Sequence, residues 1–228
     1  MNIGIIGTGG VARAIGAKAA SLGHTVILGT RNVEETRKRT QGDGMGNPSF
    51  AEWHRSHPAI ALGTFAEAAA FGELIVNAAS GTGSIPALRA AGEANLKGKV
   101  LIDISNPLDF SNGFPPSLSI ANTDSLGETI QRTFPGVRVV KTLNTLSNPL
   151  MVDPSLVNGG DHTIFVSGND APAKAAVIEL LTSFGWKDGS IIDLGDITTA
   201  RGTEQLLPLW VRLFGKFQTP MFQFKIVR

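Results

Sequence analysis

The chain has 228 residues, 42% of them hydrophobic, enough to bury a sizeable core as one large domain or as a larger and a smaller unit, and too apolar for a disordered chain. Lysine and arginine total 20 against 19 acidic residues, so the balance gives no ground for broad attraction to nucleic acid or an anionic membrane. Cysteine is absent, which excludes disulfides, thiolate catalysis and cysteine metal sites and fits a reducing, cytoplasmic setting.

The apolar opening Ile3 to Ile6 is too short for a signal segment or membrane span and reads as part of a buried strand, Asn2 to Ile6. It runs into Gly7-Thr8-Gly9-Gly10-Val11-Ala12, then into an alanine-rich helix that Gly23 stops after Leu22. A β-branched run, Thr25 to Leu28, ends at Gly29-Thr30-Arg31-Asn32 and completes a βαβ unit of roughly thirty residues. A charged helix follows, then a glycine-rich surface loop from Gly42 to Pro48 and a short helix from Phe50 to Arg55. Strands are expected at Ile60 to Leu62, Glu73 to Ala78, Val100 to Ile104 and Val137 to Thr142, with helices at Ala66 to Ala70, Ile85 to Ala94 and Leu126 to Thr133. Such alternation predicts an α/β, Rossmann-type, doubly wound parallel sheet. Asp109 to Asn122 is a long connection at the edge where ligands bind, a candidate lid.

After Asn148 the rhythm restarts. A strand at Thr163 to Val166, a helix at Ala171 to Phe184, a strand at Ile191 to Leu194 and an apolar helix from about Thr198 to Phe214 predict a small α/β C-terminal domain. The expected division is residues 1–148 for the dinucleotide and 149–228 for substrate and dimerisation, with Phe217 to Val227 as an edge strand or cross-subunit arm.

A G-x-G-x-x-G/A turn needs glycine first for the tight bend, glycine second for close approach of the pyrophosphate, and a small third residue for packing of helix on strand. Gly7, Gly9 and Ala12 meet all three needs, the helix starting at Gly10 and Val11 offers free N–H groups, and Thr8 adds a hydroxyl. NAD-binding sites place a carboxylate at the end of the second strand to hold the ribose. Here that position reads Thr30-Arg31-Asn32, and a guanidinium there suits the 2′-phosphate of NADP, with the hydroxyl and amide as further donors. Arg37, Lys38 and Arg39 read as a solvated helix face. Ala79, Ser80 and Gly81 follow the fourth strand, where backbone approaches the ribose and nicotinamide; Asp103 to Pro107, including Asn106, either lines the same crevice or caps a turn.

With these, four segments resemble the coenzyme F420-dependent NADP oxidoreductase family: Ile3 to Ala12 with Leu22-Gly23-His24, Gly29-Thr30-Arg31, Phe134 to Thr145 with its Lys141-x-x-Asn144-Thr145 element, and Asp193 to Glu204 with Ala200-Arg201. The resemblance implies that Thr8, Thr30 and Arg31 meet NADP phosphates, that the Asn144-Thr145-Leu146 turn sets the nicotinamide against a substrate ring, and that Arg201 faces that cleft. It also implies hydride exchange with coenzyme F420, FMN, FAD or a quinone. Stacked rings pass hydride directly between carbons, so no side chain is nominated as catalytic acid or base. Glu35 stands where some relatives carry lysine. The rival expectation is an NADP sensor without turnover.

His54 and His57 have no third ligand in the sequence nearby, so no metal site is expected. Ser80 lacks the surroundings of a hydrolase nucleophile. Trp210, Leu213 and Phe214 read as core or dimer packing, and Lys141 either as buried and functional or, the preferred reading, as closing a strand end.

Overall fold

The computed structural model describes residues 1–42 and 48–228, so all of the expected Gly42 to Pro48 loop but its two end residues lies outside the described part. In chain order the elements are β1 (Asn2–Ile6), α1 (Gly10–Ser21), β2 (Thr25–Thr30), α2 (Val33–Arg37), α3 (Phe50–Ser56), β3 (Ala61–Thr64) and α4 (Phe65–Phe71). Then come β4 (Leu74–Asn77), α5 (Gly81–Ala91), α6 (Glu93–Leu96), β5 (Val100–Asp103), β6 (Leu108–Asp109), β7 (Ser117–Leu118), α7 (Leu126–Thr133) and β8 (Arg138–Thr142). The C-terminal third holds α8 (Asn148–Val152), β9 (Ile164–Gly168), α9 (Ala171–Ser183), β10 (Ile191–Gly195), α10 (Ala200–Gln205) and α11 (Leu207–Phe217).

Among the described residues eight strands form one sheet in the order β10-β9-β8-β5-β4-β1-β2-β3. The chain leaves β1 in one direction through β2 and β3, then returns to the other side for β4, β5 and β8. The helices that follow β1 and β4, α1 and α5, pack on opposite sides of the sheet, and the carboxyl edge between their starts is where doubly wound folds bind nucleotides. Pairing is parallel throughout the sheet among the described residues, apart from β8 with β9, where Val140 faces Gly168 in antiparallel register. The expected partition after residue 148 falls in α8, in the connection leading to that antiparallel junction, and β9 and β10 continue the same sheet.

Side-chain alternation in β1 explains the two-sided core. Ile3 and Ile5 pack with Ala12, Ile15 and Ala19 of α1, while Ile6 points oppositely, towards Ala68 and Leu88. Gly4 shares the face of Ile6, and a Cβ there would stand 2.1 Å from the carbonyl oxygen of Ala68 in α4, so the close seating of that helix requires glycine.

Several elements depart from the expectations. α5 starts at Gly81, not Ile85, and holds Pro86 within it; its first turn is set by contact with the next strand's loop, since a Cβ on Gly81 would lie 2.0 Å from the Asn106 carbonyl oxygen. The connection after β5 contains the antiparallel pair β6 and β7. The single helix expected from Thr198 divides into α10 and α11, because Pro208 has no N–H to bond back to Glu204. The tail forms no strand: it lies beside the start of β9, with the Thr163 N–H donating to the Phe224 carbonyl at 2.9 Å and the Ile226 N–H to Thr163 Oγ1 at 3.1 Å.

Gly4→Ala should lower the unfolding free energy by about 1–3 kcal/mol through overpacking against α4, read from urea midpoints at unchanged slope.

Candidate active site

The glycine turn has two glycines in opposite surroundings. Gly7 sits at φ +131°, and a Cβ on it would approach the Ala78 carbonyl oxygen to 2.7 Å, so the loops leaving β1 and β4 touch because this residue has no side chain. Gly9 is the opposite case: among the described residues, apart from its chain neighbours, no heavy atom lies within 4 Å of where its Cβ would be, which leaves room for a group the size of a pyrophosphate. Gly9 is also the N-cap of α1 and supplies no side-chain cap, so the first-turn N–H groups at Gly10, Val11 and Ala12 and the positive end of a twelve-residue helix face that space. Ala12 is fully buried against β1 and β2, as the small third position requires.

Beside it, at the carboxyl end of β2, lies a cavity of ≈ 280 Å³ lined by Gly7, Thr8, Gly29, Thr30, Arg31, Asn32, Glu35, Thr36, Arg39 and Phe65. Arg31 is exposed at its mouth. Asn32 caps α2 by accepting the Glu35 N–H at 3.1 Å, and the Thr30 hydroxyl pairs with that of Thr36 at 2.7 Å. One residue is not where the sequence suggested. Arg39, expected on a solvated face, reaches back to donate to the Thr8 carbonyl at 3.2 Å and hydroxyl at 3.1 Å, whereas Arg37 pairs with Glu34 on the surface. Nothing in the periodicity marks it, because the bond spans 31 residues and depends on how α2 ends.

At the other end of the crevice, the tips of β4, β5 and β8 are joined by buried polar groups. Asn77 donates to Asp103 at 2.8 Å and to Ser84 at 3.0 Å, and Asp103 also accepts from the Ser105 hydroxyl at 2.6 Å. Asn106 and Asn144 clamp each other: the Asn106 amide donates to the Asn144 carbonyl at 2.8 Å, and the Asn144 amide donates to Asn106 Oδ1 at 2.9 Å. The turn Leu143 to Leu146 is therefore buried and fixed, with Leu143 at φ +60°. Ala79, Ser80 and Gly81 line the loop between Asn77 and α5, with Ser80 as its N-cap. Two buried hydroxyls flanking this turn, on Thr142 and Ser147, find no hydrogen-bond partner among the described residues.

Of the two readings of Lys141, the structure has the buried one: it is 1% exposed, and its ammonium lies 2.8 Å from both Asp103 and Glu204 and donates to the Ser105 carbonyl. Its position at the end of β8, pointing under the β5 loop, is what buries it. Burial disfavours the ammonium, but the two carboxylates outweigh that and hold its pKa above the ordinary lysine value. Glu204 also accepts the N–H groups of Leu126 at 2.8 Å and Gly127 at 3.0 Å, docking α10 on the first turn of α7. Arg201 forms two bonds with Glu128, at 2.8 and 2.6 Å.

His54 and His57 stack on Phe50 and Trp53, and each bonds a backbone carbonyl at 2.8 Å. No group of three potential metal ligands occurs among the described residues, and no described helix is long and apolar enough to cross a membrane. Trp210 stacks on Phe214 and on Phe222 of the tail.

The bonds from Arg201 are the leading reason that the Glu128 carboxyl lies below its ordinary pKa. A carboxyl depressed in the folded state stabilises fully above its unfolded pKa and loses that contribution as pH falls through the folded value. Arg201→Ala should therefore lower denaturant midpoints at pH 7, with the gap from the native chain closing on acidification below the carboxylate range. A gap that persists there would refute the pairing.

A family model described as NADP oxidoreductase, coenzyme F420-dependent, matches residues 2–107. A solved structure from Arthrobacter sp. FB24, provisionally described as an F420-dependent NADP-reductase, is 56% identical with a TM-score of 0.94, and the match covers 100% of both chains. The metalloreductases STEAP3 of Rattus norvegicus and STEAP2 of Homo sapiens are each 27% identical over 91% and 97% of this chain. Those matches cover 37% and 38% of the metalloreductases, so the chain spans little more than a third of the curated relatives it matches. An imine reductase from Myxococcus stipitatus in complex with NADP+ shares the fold at 16% identity and a TM-score of 0.61, over 96% of this chain and 64% of that one. With its glycine turn, its guanidinium-lined cavity and its full-length match at 56% identity, the chain belongs to the coenzyme F420-dependent NADP oxidoreductase family.

Proposed function

We propose that the protein transfers hydride between NADP(H) and a flavin-like ring stacked on the nicotinamide, with coenzyme F420 as the first candidate and FMN, FAD or a quinone as alternatives. The observation that carries the cofactor half is the cavity at the end of β2, where Arg31 stands in place of the ribose-binding carboxylate of NAD sites. The full-length likeness to a protein described as acting with F420 supports that partner.

In this proposal Gly7, Thr8, Gly9, Gly10, Val11 and Ala12 bind the pyrophosphate through open backbone N–H groups, a role the empty space at Gly9 fits. Thr30, Arg31 and Asn32 hold the 2′-phosphate. Ala79, Ser80, Gly81, Asn106, Asn144, Thr145 and Leu146 bed the nicotinamide riboside, and the unpartnered Thr142 and Ser147 hydroxyls beside them fit a polar ligand there. Bound NADPH supplies the hydride. The chain supplies proximity and orientation: the Asn106 and Asn144 clamp holds the turn that backs the ring, and Leu146, Asn144 and the exposed edge of Arg201 meet the acceptor. Residues 149–228 form the acceptor side, and the exposed Leu209, Phe217 and Met221 of α11 and the tail pair two copies into a homodimer, which light scattering at monomer mass would refute.

Loss of nicotinamide absorbance should occur with NADPH and one of F420, FMN, FAD or a quinone, and not without an acceptor; tight NADPH binding with no turnover on any of them would overturn the enzyme in favour of a sensor. Arg31→Ala should weaken NADPH roughly ten- to hundredfold and leave NADH nearly unchanged, since only NADPH carries the phosphate. Equal losses would remove Arg31 from the 2′-phosphate site.

A further inference from the structure

We propose that Arg39 is a second specificity-determining cation of this site, binding the 2′-phosphate together with Arg31 and presenting the Thr8 hydroxyl to it. The inference rests on the NADP assignment and extends it to a residue that its place in the sequence consigns to solvent.

Arg39 is exposed, yet held at several points. Its guanidinium carbon stands 5.4 Å from the centre of the Phe50 ring, which is itself buried, and its backbone carbonyl accepts the Ala51 N–H at 3.2 Å. Its backbone N–H bonds the Thr36 carbonyl at 3.1 Å. The side chain is thus carried from the end of α2, over the first residue of α3, to the loop after β1. Both bonds to Thr8 come from the single nitrogen Nη2, so the rest of a five-donor fork is not spent on that loop.

Two physical consequences follow. Guanidinium has no acceptor, so in its contact with Arg39 the Thr8 oxygen accepts, and the hydroxyl proton is left to be donated elsewhere. A dianionic phosphate in the cavity lined by Thr8, Arg31 and Arg39 is the acceptor that such a proton and two guanidiniums suit. The second consequence is electrostatic. Glu35 lines the same cavity, and with Arg31 alone its carboxylate would cancel the local charge. Arg39 makes the lining net cationic, which discriminates a 2′-phosphate from a 2′-hydroxyl. An arginine also suits the place better than a lysine, because a planar cation lies over a ring while its edge bonds in the plane.

The test measures dissociation constants of NADPH, NADH, adenosine 2′,5′-bisphosphate and adenosine 5′-monophosphate by calorimetry for the native chain, Arg39→Met and Arg39→Lys. Methionine keeps an apolar stem against Phe50 without the charge, and thermal melts check that both variants fold. Arg39→Met should weaken NADPH and the bisphosphate roughly tenfold or more, with NADH and the monophosphate within about twofold, and Arg39→Lys should fall between. Equal loss for all four ligands, or no loss, overturns the role of Arg39 and leaves the NADP assignment intact. A native chain that binds NADPH and the bisphosphate no better than their counterparts overturns that assignment itself, and the present inference with it.

Discussion

A lysine ammonium withdrawn from water at the end of β8 organises the carboxyl edge of this sheet. Leaving such a charge unpaired would cost several kcal/mol, so its surroundings have to supply acceptors. Asp103 comes from the end of β5, the Ser105 carbonyl from the loop after it, and Glu204 from α10. Each acceptor has other partners. Asp103 is shared with Asn77 at the tip of β4, and Glu204 takes the first N–H groups of α7. One cation thus fixes three strand tips and two helices. The same network sets the loop that carries Asn106, which grips Asn144 across the crevice. The hydride transfer proposed above, between two rings held at the right separation, would need that kind of stiffness more than a proton donor.

The two ends of the crevice are built from different materials. At the β4, β5 and β8 tips the polar groups are buried, satisfied mostly by one another, and unable to move independently. At the β2 end the charged groups stand in solvent, around a cavity whose floor is made by Gly7, Gly29 and the paired Thr30 and Thr36. Exposed guanidiniums select among nucleotides by charge and hydrogen bonding, and can be exchanged without disturbing the core. Buried networks cannot, since removing one member strands the others. The proposed cofactor specificity at one end and the proposed orientation of the reactive ring at the other would therefore be separable by mutation.

The fold is shared with imine reductases at low identity, and the sequence is similar to little more than a third of two metalloreductases. A sheet of this topology presents the same crevice to many chemistries, so the fold alone assigns none of them. The features of this chain that bear on its chemistry are local: a β2 end that carries Arg31, a reciprocal asparagine clamp, and a lysine buried beneath it.

The strand, glycine turn and helix at Asn2 to Ser21 were legible in the sequence because every determinant is local: an apolar run, glycines where the backbone needs them, and alanines at helical spacing. The doubly wound sheet followed from alternation of strands and helices, and the β2-end arginine from its fixed place after a strand. Tertiary structure alone decided the rest. Arg39 came to line the β2-end cavity through contacts 31 residues away, and Lys141 became a buried ion through contacts 36 to 63 residues away, which no periodicity encodes. The start of α5 was set by the Asn106 loop pressing on Gly81, and the break between α10 and α11 by one missing N–H at Pro208. Local patterns determine which segments are helix or strand; whether a charged side chain ends in water or beneath a neighbouring loop depends on what the completed fold places above it.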